Sequence, residues 1–130
     1  MTMEEQLADV YKTATNYPDL VFKLITIGVQ SYTVEVGAGS MLYRFDGGEH
    51  VLHGQPVVVR QVAGQLNEAL VIQALKANQQ GKTTYPEFLN DIAQAGVLLY
   101  EATLTGNLRV TYIGAGGFYE EVIPLQQPGQ

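Results

Sequence analysis

The two histidines of this 130-residue chain, His50 and His53, share a short segment with Asp46 and Glu49, and side chains of these types can together hold zinc or another divalent cation. The spacing opposes it. Residues three apart point to opposite faces of a strand and share a face only in a helix, which Gly47, Gly48, Gly54 and Pro56 disfavour here. No metal site is therefore expected, and the segment reads as a polar loop or an edge strand. A second group is aromatic: Tyr32, Tyr43, Tyr100 and Tyr112 occupy matching places in two alternating runs. Aromatic pairs across neighbouring strands stabilise a sheet, and core packing is the simpler account of them. The other account is a groove between the two halves that takes a flat organic ligand, each ring offering an apolar face and a polar tip. In that account Arg44, His50 and His53 are its polar companions. Tyr17 and Tyr85 read separately as wedges before helix starts, with hydroxyls that bond to nearby backbone.

Other chemistries find less support. Gly114-Ala-Gly-Gly117 and Gly37-Ala-Gly39 look like phosphate loops but precede strands, not the helix N-terminus that such a loop needs. They read as turns. Glu120-Glu121 would have to converge in a cleft to act as acid and base, whereas neighbours on a strand diverge; no base adjoins them in sequence. Serine occurs only at Ser31 and Ser40, neither in a nucleophile elbow. These readings lean against an enzyme and imply no cofactor. A cleft joining His50 or His53 to Arg44 and a carboxylate would reverse that expectation.

Composition sets the wider limits. Hydrophobic residues make up 46% and charged residues 15%, as in an ordinary globular domain. Thirteen acids against seven scattered bases give a formal charge of −6, which disfavours a nucleic-acid backbone as partner. The absence of cysteine removes thiolate chemistry and suits a reducing compartment, so cytoplasm is the expectation. The acidic start, Met1-Thr-Met-Glu-Glu5, does not read as a secretory signal, and no apolar run approaches the roughly 20 residues that cross a bilayer.

The elements that would position these residues come twice. Tyr17-Pro-Asp-Leu-Val21 is answered by Tyr85-Pro-Glu-Phe-Leu89, and Gly28-Val29 before Tyr32 by Gly96-Val97 before Tyr100, at an offset of 68 residues. The offset then becomes 69, pairing Tyr43 with Tyr112 and Gly47-Gly48 with Gly116-Gly117. Thr2 and Glu5 form a capping-box pattern that opens a helix over about 3–15, and Pro18 starts another over about 18–27 that Gly28 stops. Period-two alternation from Val29 and again from Met41 predicts a hairpin. Residues 49–60 predict a third strand with a break, where Pro56 argues for an edge or a bulge. A helix over about 66–79, one from Pro86, a hairpin from Val97 through Tyr112 and a strand over 118–125 complete the second copy. The tail 126–130 should fray.

The fold predicted is α+β, an internally duplicated α-α-β-β-β unit (about 1–60 and 61–125) with an antiparallel sheet packed against helices in one domain. Two separate small sheets are the alternative. Gln79-Gln-Gly-Lys-Thr-Thr-Tyr-Pro-Glu-Phe88, Ala93-Gln-Ala-Gly-Val97, Tyr112-Ile-Gly-Ala-Gly-Gly117 and Glu121-Val-Ile-Pro124 resemble the YdfO-like family, small uncharacterised bacterial proteins of which some are labelled as prophage proteins. The resemblance implies a bacterial, cytoplasmic α+β protein and brings no catalytic residues with it. A protein-interaction module without catalytic activity follows as the leading expectation, its partner another protein or a second copy as a homodimer, with no nucleic acid and no membrane. The rival expectation is a small-molecule binding domain with the tyrosine-lined groove.

Overall fold

Helix starts in this chain are set by side chains that accept from free backbone N–H groups. The structure, a computed structural model, describes residues 1–53 and 59–123. Helix α1 (Met3–Thr13) opens on Thr2 with the capping box complete: Glu5 N–H donates to Thr2 Oγ1 and Thr2 N–H to Glu5 Oε1, both at 3.1 Å. Helix α2 (Tyr17–Thr26) begins one residue before the expected Pro18, because Asn16 accepts from Asp19 N–H at 2.8 Å and fixes the first turn there. Helix α3 (Glu68–Gln79) starts two residues later than its apolar pattern suggests, since the Asn67 side chain caps it. Helix α4 (Tyr85–Gln94) carries a second capping box, Thr84 with Glu87. Gly28 and Gly96 follow α2 and α4 at φ +97° and +88°.

Strands β1 (Val29–Glu35), β2 (Ser40–Phe45) and β3 (His50–His53) follow the first helix pair, and β4 (Val97–Thr103), β5 (Arg109–Gly114) and β6 (Gly117–Val122) the second. They form one antiparallel sheet in the order β3-β2-β1-β4-β5-β6, so the alternative of two separate sheets is set aside. The architecture is α+β, with four helices and six strands among the described residues. The seam is β1 against β4, with Val34 opposite Tyr100 and Tyr32 opposite Ala102. Register shifts fall at Gln30 and Leu98, and the hydrogen bonds beside them are reciprocal. Leu104 N–H donates to Gln30 O at 2.9 Å and Val36 N–H to Leu98 O at 3.1 Å.

All four helices lie on one face. Leu7 and Val10 of α1, Val21 and Leu24 of α2, Val71 and Leu75 of α3, and Phe88 and Ile92 of α4 bury against Tyr32, Val34, Tyr43, Phe45, Tyr100, Val110 and Tyr112 in a single core. At about 25 cal/mol per Å² of apolar surface, burying side chains of this size stabilises the fold by roughly 1.5–3 kcal/mol each. The third strand is an edge, as expected. Its predicted continuation is corrected: Val59 and Arg60 are not in a strand, and Arg60 instead donates from its N–H to Gly37 O at 2.6 Å. There begins a strap that runs on through Ala63 N–H to Ala93 O, Leu66 N–H to Ala115 O and Asn67 N–H to Ala95 O. The last strand, expected to run to Leu125, ends at Val122, and Ile123 beyond it donates from its N–H to Leu108 O at 2.9 Å; the expected break at Gly54 and Pro56 and the tail 126–130 lie outside the described residues.

Candidate functional site

Strand alternation decides which of the candidate side chains can meet. Tyr32, Tyr43, Tyr100 and Tyr112 all point to the helix side, where Tyr32 pairs with Tyr43 at 5.1 Å between ring centroids and Tyr100 with Tyr112 at 5.3 Å. Their exposures, 3%, 0%, 5% and 5%, place the rings in the core. The hydroxyls find partners on the helices above. Tyr17 bonds to Tyr32 at 2.9 Å and Tyr85 to Tyr100 at 2.8 Å, while Tyr11 of α1 bonds to Tyr43. Tyr17 and Tyr85 are each 40% exposed, and their hydroxyls turn in to Tyr32 and Tyr100 rather than to the nearby backbone expected of them. Burial is the main reason that Tyr11, Tyr17, Tyr32, Tyr85, Tyr100 and Tyr112 ionise above the ordinary phenol range, Tyr85 being pushed up to about 12.

The polar candidates divide between the two faces. Arg44 and His50 stand opposite each other on the helix-free face, away from the tyrosines. Arg44 donates to Ser31 Oγ at 3.2 Å and Thr33 Oγ1 at 3.0 Å and lies 4.0 Å from Glu101. His50 Nδ1 is 3.1 Å from Gly48 O. His53 alone joins the aromatic side, its ring stacked on Tyr11 at 5.3 Å and 14°. Among the described residues no three His, Asp or Glu side chains gather closely enough to hold a metal ion. Gly37–Gly39 lie in the β1–β2 turn, and Gly114 and Gly117 are the paired strand ends that flank the β5–β6 turn, with Gly39 and Gly116 at φ +78° and +89°.

Glu120 and Glu121 diverge as neighbours on a strand must. Glu121 faces the helices and accepts from Gln79 Nε2 at 2.8 Å. Glu120 faces the other way, accepts from Thr111 Oγ1 at 3.0 Å and lies 3.6 Å from Arg109 Nε, so a base does stand beside it. Sequence reasoning missed that pair because Arg109 and Glu120 meet only through the β5–β6 register. Of the concavities, one of about 800 Å³ lies at the end of β5–β6, among Leu108, Arg109, Glu120 and Ile123. Another of about 340 Å³ lies between α3 and α4, lined by Leu70, Gln73, Ala77 and Asp91. Neither is lined by a tyrosine.

The helix-free face is the larger feature. Its rows follow from the register: His50, Arg44, Ser31, Thr103, Arg109 and Val122 form one row, and Leu52, Leu42, Thr33, Glu101, Thr111 and Glu120 the next. Leu99, Ile113 and Phe118 close one corner. Leu52, Phe118 and Val122 are 70%, 65% and 74% exposed.

Residues 5–117 match the family described as "Protein of unknown function (DUF1398)". Uncharacterized proteins of Mycobacterium bovis and of two strains of Mycobacterium tuberculosis are each 36% identical over 100 residues, which is 75% of this chain and 60% of each relative. The chain thus spans less than two thirds of the curated relatives that it matches. Unknown function and bacterial relatives agree with the coarser part of the resemblance read from the sequence.

Proposed function

The chain belongs to the family of proteins of unknown function DUF1398, and from that premise we propose that it is a small interaction module that pairs with a second copy through the helix-free face of its sheet. The observation that carries the reading is that face itself, with Leu52, Phe118 and Val122 exposed on a sheet whose other side is covered by all four helices. Six strands about 4.8 Å apart and about 20 Å long give a flat footprint of roughly 500 Å². Side-chain relief brings this toward the ~800 Å² that each partner buries in a standard interface. The charges on the face pair within it, Arg44 with Glu101 and Arg109 with Glu120, which lowers the repulsion between two like copies. The reading assigns no catalytic activity and no cofactor. It takes the setting to be a bacterial cytoplasm, to which a chain without cysteine is suited, and a prophage origin as the YdfO-like resemblance implies.

Sedimentation velocity and light scattering test the pairing. A dimer is expected at concentrations on the order of 10–100 µM. Leu52→Glu combined with Phe118→Glu should give a monomer with unchanged circular dichroism, since both side chains are exposed. A wild-type chain that stays monomeric across that range, or a double variant that stays dimeric, sinks the proposal.

We also propose that the two halves, about 1–60 and 61–125, are copies of one unit. Support comes from the 68-residue offset that relates Asn16 to Thr84 as helix caps, Gly28 to Gly96 as helix stops and Gln30 to Leu98 at the register shifts. The first half expressed alone should then pair with itself along β1, detected as a folded dimer by light scattering and circular dichroism. An unfolded monomer would count against it.

A further inference from the structure

The sheet has two edges, and they are not alike. β3 has four residues, whereas β6 has six and pairs with β5 without a register shift. Ile123 N–H donates to Leu108 O at 2.9 Å, and in the alternating ladder of an antiparallel pair this makes Val110–Glu121 and Tyr112–Tyr119 the bonded pairs. Phe118, Glu120 and Val122 stand between them, so their backbone N–H and C=O groups point away from β5. The side chains of all three lie on the helix-free face, where Phe118 and Val122 are 65% and 74% exposed. The concavity of about 800 Å³ opens beside Glu120 and Val122, so a further strand has room there. Natural edges are guarded by a bulge, a proline, shortness or charge, and of these β6 has only charge, at Glu120 and Glu121.

We propose that β6 is a docking edge for an extended segment of a partner protein, which adds to the sheet as a further strand and has the pattern apolar-x-Lys/Arg-x-apolar. Backbone bonds to the outward groups supply the contact, and the side chains select the occupant. The base of the segment stands opposite Glu120. Thr111 Oγ1 and Arg109 Nε reach that carboxylate at 3.0 and 3.6 Å, both from the β5 side, whereas an added strand brings its base from the outer side. The apolar residues that flank the base stand opposite Phe118 and Val122 and share the open face with them. The pattern reads the same in both directions and so holds for either orientation of the segment. A second copy of this chain fits worse. β6 against β6, in the register that pairs all three outward residues, sets the two Glu120 carboxylates opposite each other, and a charge of −6 on each chain adds to the repulsion. The contact lies in the plane of the sheet and does not depend on the face-to-face pairing proposed above.

The test uses the full chain and three peptides, titrated by calorimetry and by NMR shifts of the backbone amides. They are acetyl-Thr-Val-Thr-Lys-Thr-Val-Thr-amide, the same peptide with glutamate for lysine, and the lysine peptide methylated on its lysine backbone nitrogen. The lysine peptide should bind with a Kd of about 1 mM or tighter and shift the amides of Phe118, Glu120 and Val122 most. The glutamate peptide should bind at least about fivefold more weakly, because like charges then stand opposite each other. Backbone methylation should abolish binding, which separates strand addition from attraction between charges alone. Glu120→Lys should reverse the preference between the lysine and glutamate peptides. Glu120→Pro removes an outward N–H and no bond to β5, so it should lose the lysine peptide with unchanged circular dichroism. Equal affinity for the lysine and glutamate peptides, binding that survives methylation, an unreversed preference in Glu120→Lys, shifts centred on β3 instead, or no binding at concentrations on the order of 10 mM would overturn the proposal.

Discussion

The hydroxyls of Tyr32, Tyr43 and Tyr100 each bond to a tyrosine of a helix, and each pair ties a helix start or a helix face to a strand. Tyr17 to Tyr32 and Tyr85 to Tyr100 are the same contact made twice, and both require the neutral phenol as donor. Burial raises the ionisation of Tyr32, Tyr100 and Tyr112 well above the ordinary value of 10.0, with neighbouring tyrosines adding to it and, at Tyr112, Glu121 as well. The sign follows directly. In the unfolded chain these groups lose their protons near pH 10, while in the fold they keep them, so their contribution is whole below that pH and is lost as pH rises. Each of the three then costs up to about 1.4 kcal/mol of stability per pH unit. Tyrosinate absorbance from these residues should therefore appear in one cooperative step together with loss of circular dichroism. Tyrosinates forming near pH 10 in a chain that keeps its helices would contradict the buried placement.

Among the elements, the helix ends answer most directly to single residues. Replacing Thr84 by Ala removes the side chain that accepts Glu87 N–H and should cost about 1 kcal/mol in a urea melt at neutral pH. Glu87 itself ionises low, mainly because Thr84 N–H donates to it, so its help to the helix is present above the ordinary value of 4.5 and is lost as pH falls. Gly81 and Gly96 make a sharper comparison. Both have positive φ, +74° and +88°, and an Ala at either meets the left-handed penalty of about 1–2 kcal/mol. A Cβ at Gly81 would meet open space, whereas one at Gly96 would collide with the Gln65 carbonyl of the strap. Gly96→Ala should thus destabilise by clearly more than Gly81→Ala, and equal losses would show that the strap gives way. Such local features were legible in the sequence: Pro18 and Pro86 in first turns, Gly28 and Gly96 as stops, and Tyr32 and Tyr100 on matching strands all follow from backbone chemistry within a few residues. Long-range pairing was not. That β1 lies beside β4, that Arg109 meets Glu120, and that Arg44 and His50 stand on the face opposite the tyrosines depend on register between segments that no short window contains.

At the scale of the whole molecule, the strands of the two halves meet along one pair, β1 and β4, over a shared core, and the halves are joined by one connection, the chain between β3 and α3. Everything that β1 asks of β4 is asked in return: Val36 donates to Leu98 while Leu104 donates to Gln30. The relation of the halves is close to that of two subunits joined by a linker that raises their effective concentration, although its described part is also bonded to both, Arg60 to Gly37 and Ala63 to Ala93. Two whole chains can then trade halves, the first of one completing its sheet against the second of the other, with every seam bond kept. Such an exchanged pair would have the same mass as a dimer built face to face, and light scattering alone would confuse them. The helix-free face separates the two, because Leu52→Glu with Phe118→Glu breaks a face-to-face dimer but leaves an exchanged one whole. Dilution separates them again: a surface dimer dissociates within the time of a sedimentation run, while an exchanged one must first open its seam and is released only as slowly as the protein unfolds.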